Sequence, residues 1–336
     1  MLLIYGATGA TGARLAELAV EAGIATVVAG RRADEVRALA GRVGCQARVA
    51  SLDELPRILG GVHTVASCVG PYTHVGLPVA EAAVLAGANY LDLTGEPLYV
   101  RSLIERFDAP ARSAGIALVP SAGLGTCSGI AAKAAVAALP GAVREIVIGY
   151  QPRGMKPSTG TVRSTVEILA GGAIVAEGGG TRLALPGSRV RRTPYGPGAL
   201  FPLTDPLTMH TVWPHARIAG FFVSRGAPAI APVFMGLRGT GRVAVGTLRR
   251  AERRLKGYAT PGGGFRIGVR VSDGATSRDA TVELDDIYEL TSRAALEVAQ
   301  CLLAGTDPGV RSSGAVVGDP ADVAKRIGVR LTAPSY

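Results

Sequence analysis

The chain has 336 residues, 48% hydrophobic and 18% charged, which is enough apolar material for one large or two modest domains and too much for a disordered chain. Its 36 basic residues outnumber 26 acidic ones and leave a net charge of +10. Only Lys133, Lys156, Lys256 and Lys325 are lysines, and apart from the runs Arg189–Arg192 and Arg249–Arg254 the basic residues are dispersed without aromatic interleaving, so nucleic acid is not the expected partner.

The first 32 residues carry the clearest pattern. An apolar run, Leu2–Tyr5, stops at Gly6, and glycines recur at Gly9 and Gly12. An Ala/Leu-rich helical stretch follows to Ala22, and a second apolar run, Thr26–Ala29, ends at Gly30. Strand, glycine turn, helix, strand is the unit that sets a pyrophosphate on a helix N-terminus. Gly6 permits the tight turn, Gly9 lets the backbone approach the phosphates, and Gly12 lets the helix lie close to the strand. Thr8 and Thr11, in the same turn, complete the set of candidate cofactor contacts. An NAD site usually ends its second strand with Asp or Glu; this chain has Arg31 and Arg32 there. Guanidinium groups pair with a 2′-phosphate, so NADPH is the expected cofactor. The alternative is that the arginines solvate the next helix, which one of the two is expected to do.

Alternation then continues. Residues 33–43 read as helix, 45–50 as strand and 53–59 as a short helix. A fourth strand over 63–69 runs into Gly70-Pro71, followed by helix 76–86, strand 89–93, helix 96–114 and strand 116–119. This specifies an α/β architecture, a Rossmann-type doubly wound parallel sheet over residues 1–125, with ligands at the carboxyl ends of its strands.

From residue 126 the pattern changes. Helix 126–139, strand 144–151 and helix 161–169 precede a Gly-, Pro- and Arg-rich stretch, 171–202. That stretch reads as a long loop or lid, with a strand candidate at 188–193. Short strands at 219–224 and 242–245 and a basic helix at 247–257 follow. Asp273-Gly274 between two apolar runs marks a hairpin. The segment 126–284 is expected to be an inserted α+β domain with a mixed or antiparallel sheet. Helix 286–303 opens a C-terminal return, 285–336, to the first domain.

The loop after the fourth strand, Cys68-Val69-Gly70-Pro71, is expected beside the nicotinamide ribose. Tyr72 has two readings: a phenol that donates a proton or holds a substrate oxygen, and a packing tyrosine under the loop. His74 reads as a surface residue and Glu96 as a helix cap; Asp92 reads as a support for the Tyr72 loop. Cys68 and Cys127 read as small buried residues, with an approach to the cofactor as the alternative. The cysteines Cys45, Cys68, Cys127 and Cys301 lack CxxC spacing, and no metal site is expected, His210 and His215 included. The apolar stretch 129–139 is too short to span a bilayer. The chain starts directly in a strand, so no signal peptide is expected and the localisation reads as cytoplasmic. No tyrosine is followed four residues later by lysine, which argues against the short-chain dehydrogenases.

Three segments together carry a resemblance. Gly6-Ala7-Thr8-Gly9-Ala10-Thr11-Gly12 is followed by Gly30-Arg31-Arg32. Cys68–Tyr72 is followed by Gly76-Leu77-Pro78-Val79. Asn89–Glu96 leads into Val119–Gly125. In order and spacing the chain resembles the saccharopine dehydrogenase-like oxidoreductases, in particular their trans-acting enoyl reductase branch. The resemblance implies hydride transfer from NADPH to an activated C=C of a biosynthetic intermediate, a small molecule or carrier-linked. It leaves open a saccharopine-type imine or amino-acid reductase, for which Arg153, Arg163 and Arg182 are carboxylate-binding candidates. A non-catalytic NADP(H)-binding sensor and a homodimer also remain open.

Overall fold

The computed structural model describes residues 1–156, 168–229, 231–236 and 262–334. The helix expected over 161–169 lies largely outside these residues, as does Arg163; the strand at 242–245 and the basic helix at 247–257 lie wholly outside them. Elements are numbered along the chain. Two compact units are formed, Met1–Thr126 with Tyr288–Gly328, and Cys127–Ile287 with Val329–Tyr336.

The first unit contains strands β1 (Leu2–Tyr5), β2 (Thr26–Gly30), β3 (Gln46–Val49), β4 (Thr64–Ser67), β5 (Asn89–Asp92), β6 (Ala117–Val119) and β15 (Gly309–Val310). All pair in parallel, in the order β15-β6-β5-β4-β1-β2-β3. β1, β2, β4 and β5 are buried along their whole length, as inner strands of a parallel sheet covered on both faces are. The crossovers are α1 (Ala10–Glu21), α2 (Ala33–Val43), α3 (Tyr72–Leu85) and α4 (Pro97–Ala114), with a 3₁₀ turn at Leu55–Ile58. This is a Rossmann-type sheet, and its strand order reverses between β1 and β4. The chain returns to this unit through α7 (Ile287–Ala304), which braces α1. Arg14 meets Glu289 through Nε (2.8 Å) and Nη2 (3.1 Å), and Ser292 Oγ donates to the Thr11 carbonyl (3.3 Å). α8 (Ser313–Val316) and α9 (Pro320–Ile327) follow.

The second unit holds α5 (Leu124–Ala137), which begins at the end of the first unit, α6 (Asp205–His210) and a mixed sheet. Its main path runs β10 (Val190–Thr193), β11 (Gly196–Leu200), β12 (Arg217–Val223), β7 (Glu145–Lys156), β13 (Gly262–Ser272), β14 (Ser277–Leu284) and β16 (Arg330–Thr332). β7 and β12 are parallel and the other neighbours antiparallel. Ile146, Ile148, Ile267, Val269, Val271, Ala280 and Val282 alternate onto one buried face. On the other face Arg270 stands opposite Asp279, and Arg266 opposite Glu283.

Two expectations are corrected here. The stretch 171–202 is not a loop or lid. It forms two hairpins, β8 (Ala173–Glu177) with β9 (Gly180–Ala184), and β10 with β11. Gly178 and Gly179 both have left-handed φ (64° and 79°), as a two-residue hairpin turn requires, so these glycines mark turns between short strands. The chain end also departs from the expected return. β16 pairs with β14 in the mixed sheet, where Arg330 reaches Glu283 (3.3 Å). Among the described residues no helix is long and apolar enough to cross a membrane.

Candidate functional site

The site is built on the strand ends at the β1/β4 reversal. β1 ends at Tyr5, and Gly6 turns the chain with φ 80°. A Cβ on Gly6 would sit 2.2 Å from Val69 Cγ2 and 3.1 Å from the Cys68 carbonyl carbon, so the glycine turn and the loop after β4 lie in direct contact. A Cβ on Gly12 would sit 2.8 Å from both Ala7 Cα and Gly6 O, which makes glycine obligatory where α1 crosses the turn. Gly9 differs. Its added Cβ would meet nothing nearer than Gly6 O at 3.6 Å, so the protein's own packing does not demand glycine there. Gly9 is also exposed, and it is the N-cap of α1 with no side-chain cap; the helix has no acid in its first turn. Clearance above an uncapped helix N-terminus fits a dinucleotide pyrophosphate.

The arginines after β2 occupy different surroundings. Arg32 Nη2 donates to Thr8 Oγ1 (2.7 Å) and pairs with Glu35 (2.9 Å), so it clasps the glycine turn to the start of α2. Arg31 is exposed and forms no ion pair among the described residues. Thr11 is half-buried at the first turn of α1.

The loop after β4 is short because α3 starts at Tyr72, four residues earlier than the periodicity indicates. Gly70-Pro71 is a cis peptide and Pro71 is the N-cap of α3. Tyr72 is buried. Its hydroxyl donates to Ser67 O (2.9 Å) and accepts from Leu93 N (3.3 Å), tying the end of β4 to the end of β5. Burial, then the Asp92 carboxylate, raise this phenol well above its ordinary pKa. Of the two readings for Tyr72, this geometry is that of the packing residue. His74 is exposed. Burial and Asp92 push the Cys68 thiol up to about 12, so it is not a thiolate at neutral pH.

Beneath these strand ends lies a polar network that motif reading did not assemble. Asp92, fully buried at the end of β5, accepts from Thr94 N and Ser121 N (both 3.0 Å) through Oδ1 and from Tyr99 Oη (2.8 Å) through Oδ2. Tyr99 and Tyr90 share a hydroxyl hydrogen bond of 2.9 Å. Burial pushes Asp92 up to about 6, against the lowering effect of its hydrogen bonds. Ser121 adopts a left-handed φ of 59°, and its hydroxyl donates to Thr94 O (2.9 Å). Asp92 thus braces the β5 and β6 ends. The loop contact expected of it belongs to Glu96, which accepts from Tyr72 N (2.9 Å) and Thr73 N (2.8 Å). The partners lie 24 and 23 residues apart, beyond any local spacing rule.

In the second unit the remaining candidates are engaged otherwise. Arg153 pairs with Glu283 (3.3 Å), and Arg182 with Glu177. Cys127 is fully buried and its thiol is pushed up to about 12, by burial and then by Asp205. Asp205 accepts from Ser128 Oγ and from Tyr150 Oη (3.1 Å). Burial followed by the neighbouring His215 lowers the pKa of His210.

No family model matches the chain. Over 187 residues it is 33% identical to a Mycobacterium tuberculosis protein provisionally named a trans-acting enoyl reductase, covering 50% of this chain and 44% of that one. Over 132 residues it is 33% identical to the trans-acting enoyl reductase of Mycobacterium leprae, covering 36% and 32%. The chain therefore spans less than half the length of these curated relatives. The saccharopine dehydrogenase (L-Glu forming) of Saccharomyces cerevisiae matches over 99% of both chains with a TM-score of 0.65 at 14% identity, and the two share a fold. The chain is thus similar to trans-acting enoyl reductases in sequence and to saccharopine dehydrogenase in fold.

Proposed function

We propose that the chain is an NADPH-dependent reductase acting on an activated C=C bond of a biosynthetic intermediate, free or carrier-linked. The observation that carries the cofactor reading is the uncapped α1 N-terminus under an exposed Gly9, with Arg31 and Arg32 directly after the neighbouring strand β2. The preference for C=C rests on the sequence similarity to proteins named enoyl reductases.

In this reading Gly6, Thr8, Gly9, Thr11 and Gly12 shape the pyrophosphate cradle, and the backbone N–H groups of the α1 first turn hold the diphosphate. Arg31 and Arg32 recognise the 2′-phosphate. When bound, NADPH supplies hydride to the β-carbon of the unsaturated, carbonyl-conjugated substrate. Cys68, Val69, Gly70 and Pro71 form the wall that orients the nicotinamide end. Tyr72 keeps its proton and supports that wall through Ser67 and Leu93.

The purified chain, mixed with NADPH and a 2-enoyl thioester, either free or on a carrier, is expected to consume NADPH and yield the saturated thioester. Turnover of an amine with an oxo acid, and none of the enoyl thioester, would assign saccharopine-type chemistry instead. Tight NADPH binding without hydride transfer to either acceptor would assign a sensor.

A further inference from the structure

We infer that Glu96 is a positioning residue, a clamp on the loop between β4 and α3. The clamp follows from geometry; that the loop borders the nicotinamide rests on the NADPH reading above. Glu96 stands immediately before α4, where a carboxylate ordinarily serves its own helix. Its side chain makes no capping bond there. Both oxygens instead reach the start of α3. Oε1 accepts from Tyr72 N (2.9 Å), and Oε2 accepts from Thr73 N (2.8 Å) and from Thr73 Oγ1. Hydrogen bonds to an ionised acceptor belong to the stronger class.

α3 has no other such acceptor of its own, because its N-cap is Pro71. The loop held this way, Cys68–Pro71, packs directly on the Gly6 turn through Val69. β4 fixes one end of the loop and Glu96 the other. Glu96 is itself held in place, since its N–H donates to Thr94 Oγ1 (3.0 Å), while Thr94 N donates to the buried Asp92 (3.0 Å). The two helix N-termini at the strand reversal are therefore treated in opposite ways. That of α1 carries no side-chain cap and no first-turn acid, whereas that of α3 is closed by a carboxylate. A dinucleotide diphosphate is attracted to the first and repelled from the second.

The test compares wild type, Glu96→Ala and Glu96→Gln by amide hydrogen exchange, NADPH titration and steady-state reduction of a 2-enoyl thioester. Exchange at Tyr72 and Thr73 is expected to rise about tenfold in Glu96→Ala, reporting local opening. Its kcat is expected to fall about tenfold, because small misplacements of reacting groups are costly, while the NADPH Kd moves less than about threefold. Glu96→Gln keeps one acceptor oxygen and is expected to recover most of the lost kcat. Unchanged exchange or an unchanged kcat in Glu96→Ala overturns the inference. Equal losses in NADPH affinity and kcat overturn it in favour of a direct cofactor contact. Wild type that reduces no enoyl thioester sinks the functional reading alone, and the exchange data then decide the clamp.

Discussion

Arg31 and Arg32 are adjacent in sequence and differ in what they hold. Arg32 is shared between Thr8 and Glu35, while Arg31 is free of ion pairs among the described residues. The Arg32–Glu35 pair is more than half exposed, so it is worth under about 1 kcal/mol, less than the roughly 1.5–3 kcal/mol of a hydrogen bond to a charged group. That pair offsets only part of what Arg32 gains from a 2′-phosphate, whereas Arg31 has no ion pair among the described residues to give up and gains more. Replacing both with Ala is expected to weaken NADPH binding about 100-fold and leave NADH within about twofold, as measured by fluorescence titration. Arg31→Ala alone is expected to reproduce most of that loss, and Arg32→Ala a minor part. Equal losses for the two cofactors would rule out the 2′-phosphate assignment. The arginines and glycines were legible because their chemistry is local: turn, helix start and strand end fall within 32 residues. The partners of Tyr72 were not. Whether a phenol faces a substrate or a backbone carbonyl depends on Ser67 and Leu93, which only the fold brings to it.

At the level of elements, the motif Gly76-Leu77-Pro78 acquires a packing reason. A Cβ on Gly76 would lie 2.3 Å from Tyr99 Cε2 and 2.7 Å from Cζ, so glycine lets α3 lie against a ring of α4. That ring has little room to give way, being 2% exposed with its hydroxyl held by Tyr90 and Asp92. Alanine gains about 1 kcal/mol over glycine in a helix, but overpacking a fixed core ring costs about 1–3 kcal/mol. Gly76→Ala is therefore expected to lower stability by up to about 2 kcal/mol, read as a lower urea midpoint. A rise in midpoint would show that Tyr99 can move aside. Helix and strand period made the parallel sheet readable from the sequence, because each of its elements is specified by its own residues. Of the hairpins over 173–200, only β10 is legible, as the strand candidate at 188–193, and the rest are hidden for a different reason. Their strands are four or five residues long, and the glycines and prolines between them look the same whether they bound strands or fill a loop. The early start of α3 was hidden too, since the acceptor that satisfies its first amides comes from Glu96 on a later element.

For the molecule as a whole, the response to pH is set by carboxylates of two kinds. Glu289 and Glu177 are lowered, chiefly by hydrogen bonds from Arg14 and Arg182, so the stability they add is present above the ordinary carboxylate pKa and is lost as pH falls. Asp92 and Asp205 are raised by burial and act in the opposite sense. Between the ordinary value of 3.8 and about 6, folded Asp92 keeps a proton that the unfolded chain has released. Stability from this group therefore falls as pH rises through that window, by about 3 kcal/mol at neutral pH. Asparagine suits the site better than its charge suggests. Its carbonyl oxygen can take the Thr94 and Ser121 amides, and its NH₂ can donate to Tyr99 if that hydroxyl turns to donate to Tyr90. Asp92→Asn is therefore expected to lose that slope, with its urea midpoint falling less between pH 4 and 7 than wild type's. Taking the difference between the two proteins at each pH cancels Asp205 and the surface acids. Asp92→Ala strands three donors and is expected to be less stable than Asp92→Asn at every pH. Parallel pH profiles for wild type and Asp92→Asn would mean that Asp92 does not titrate in this window.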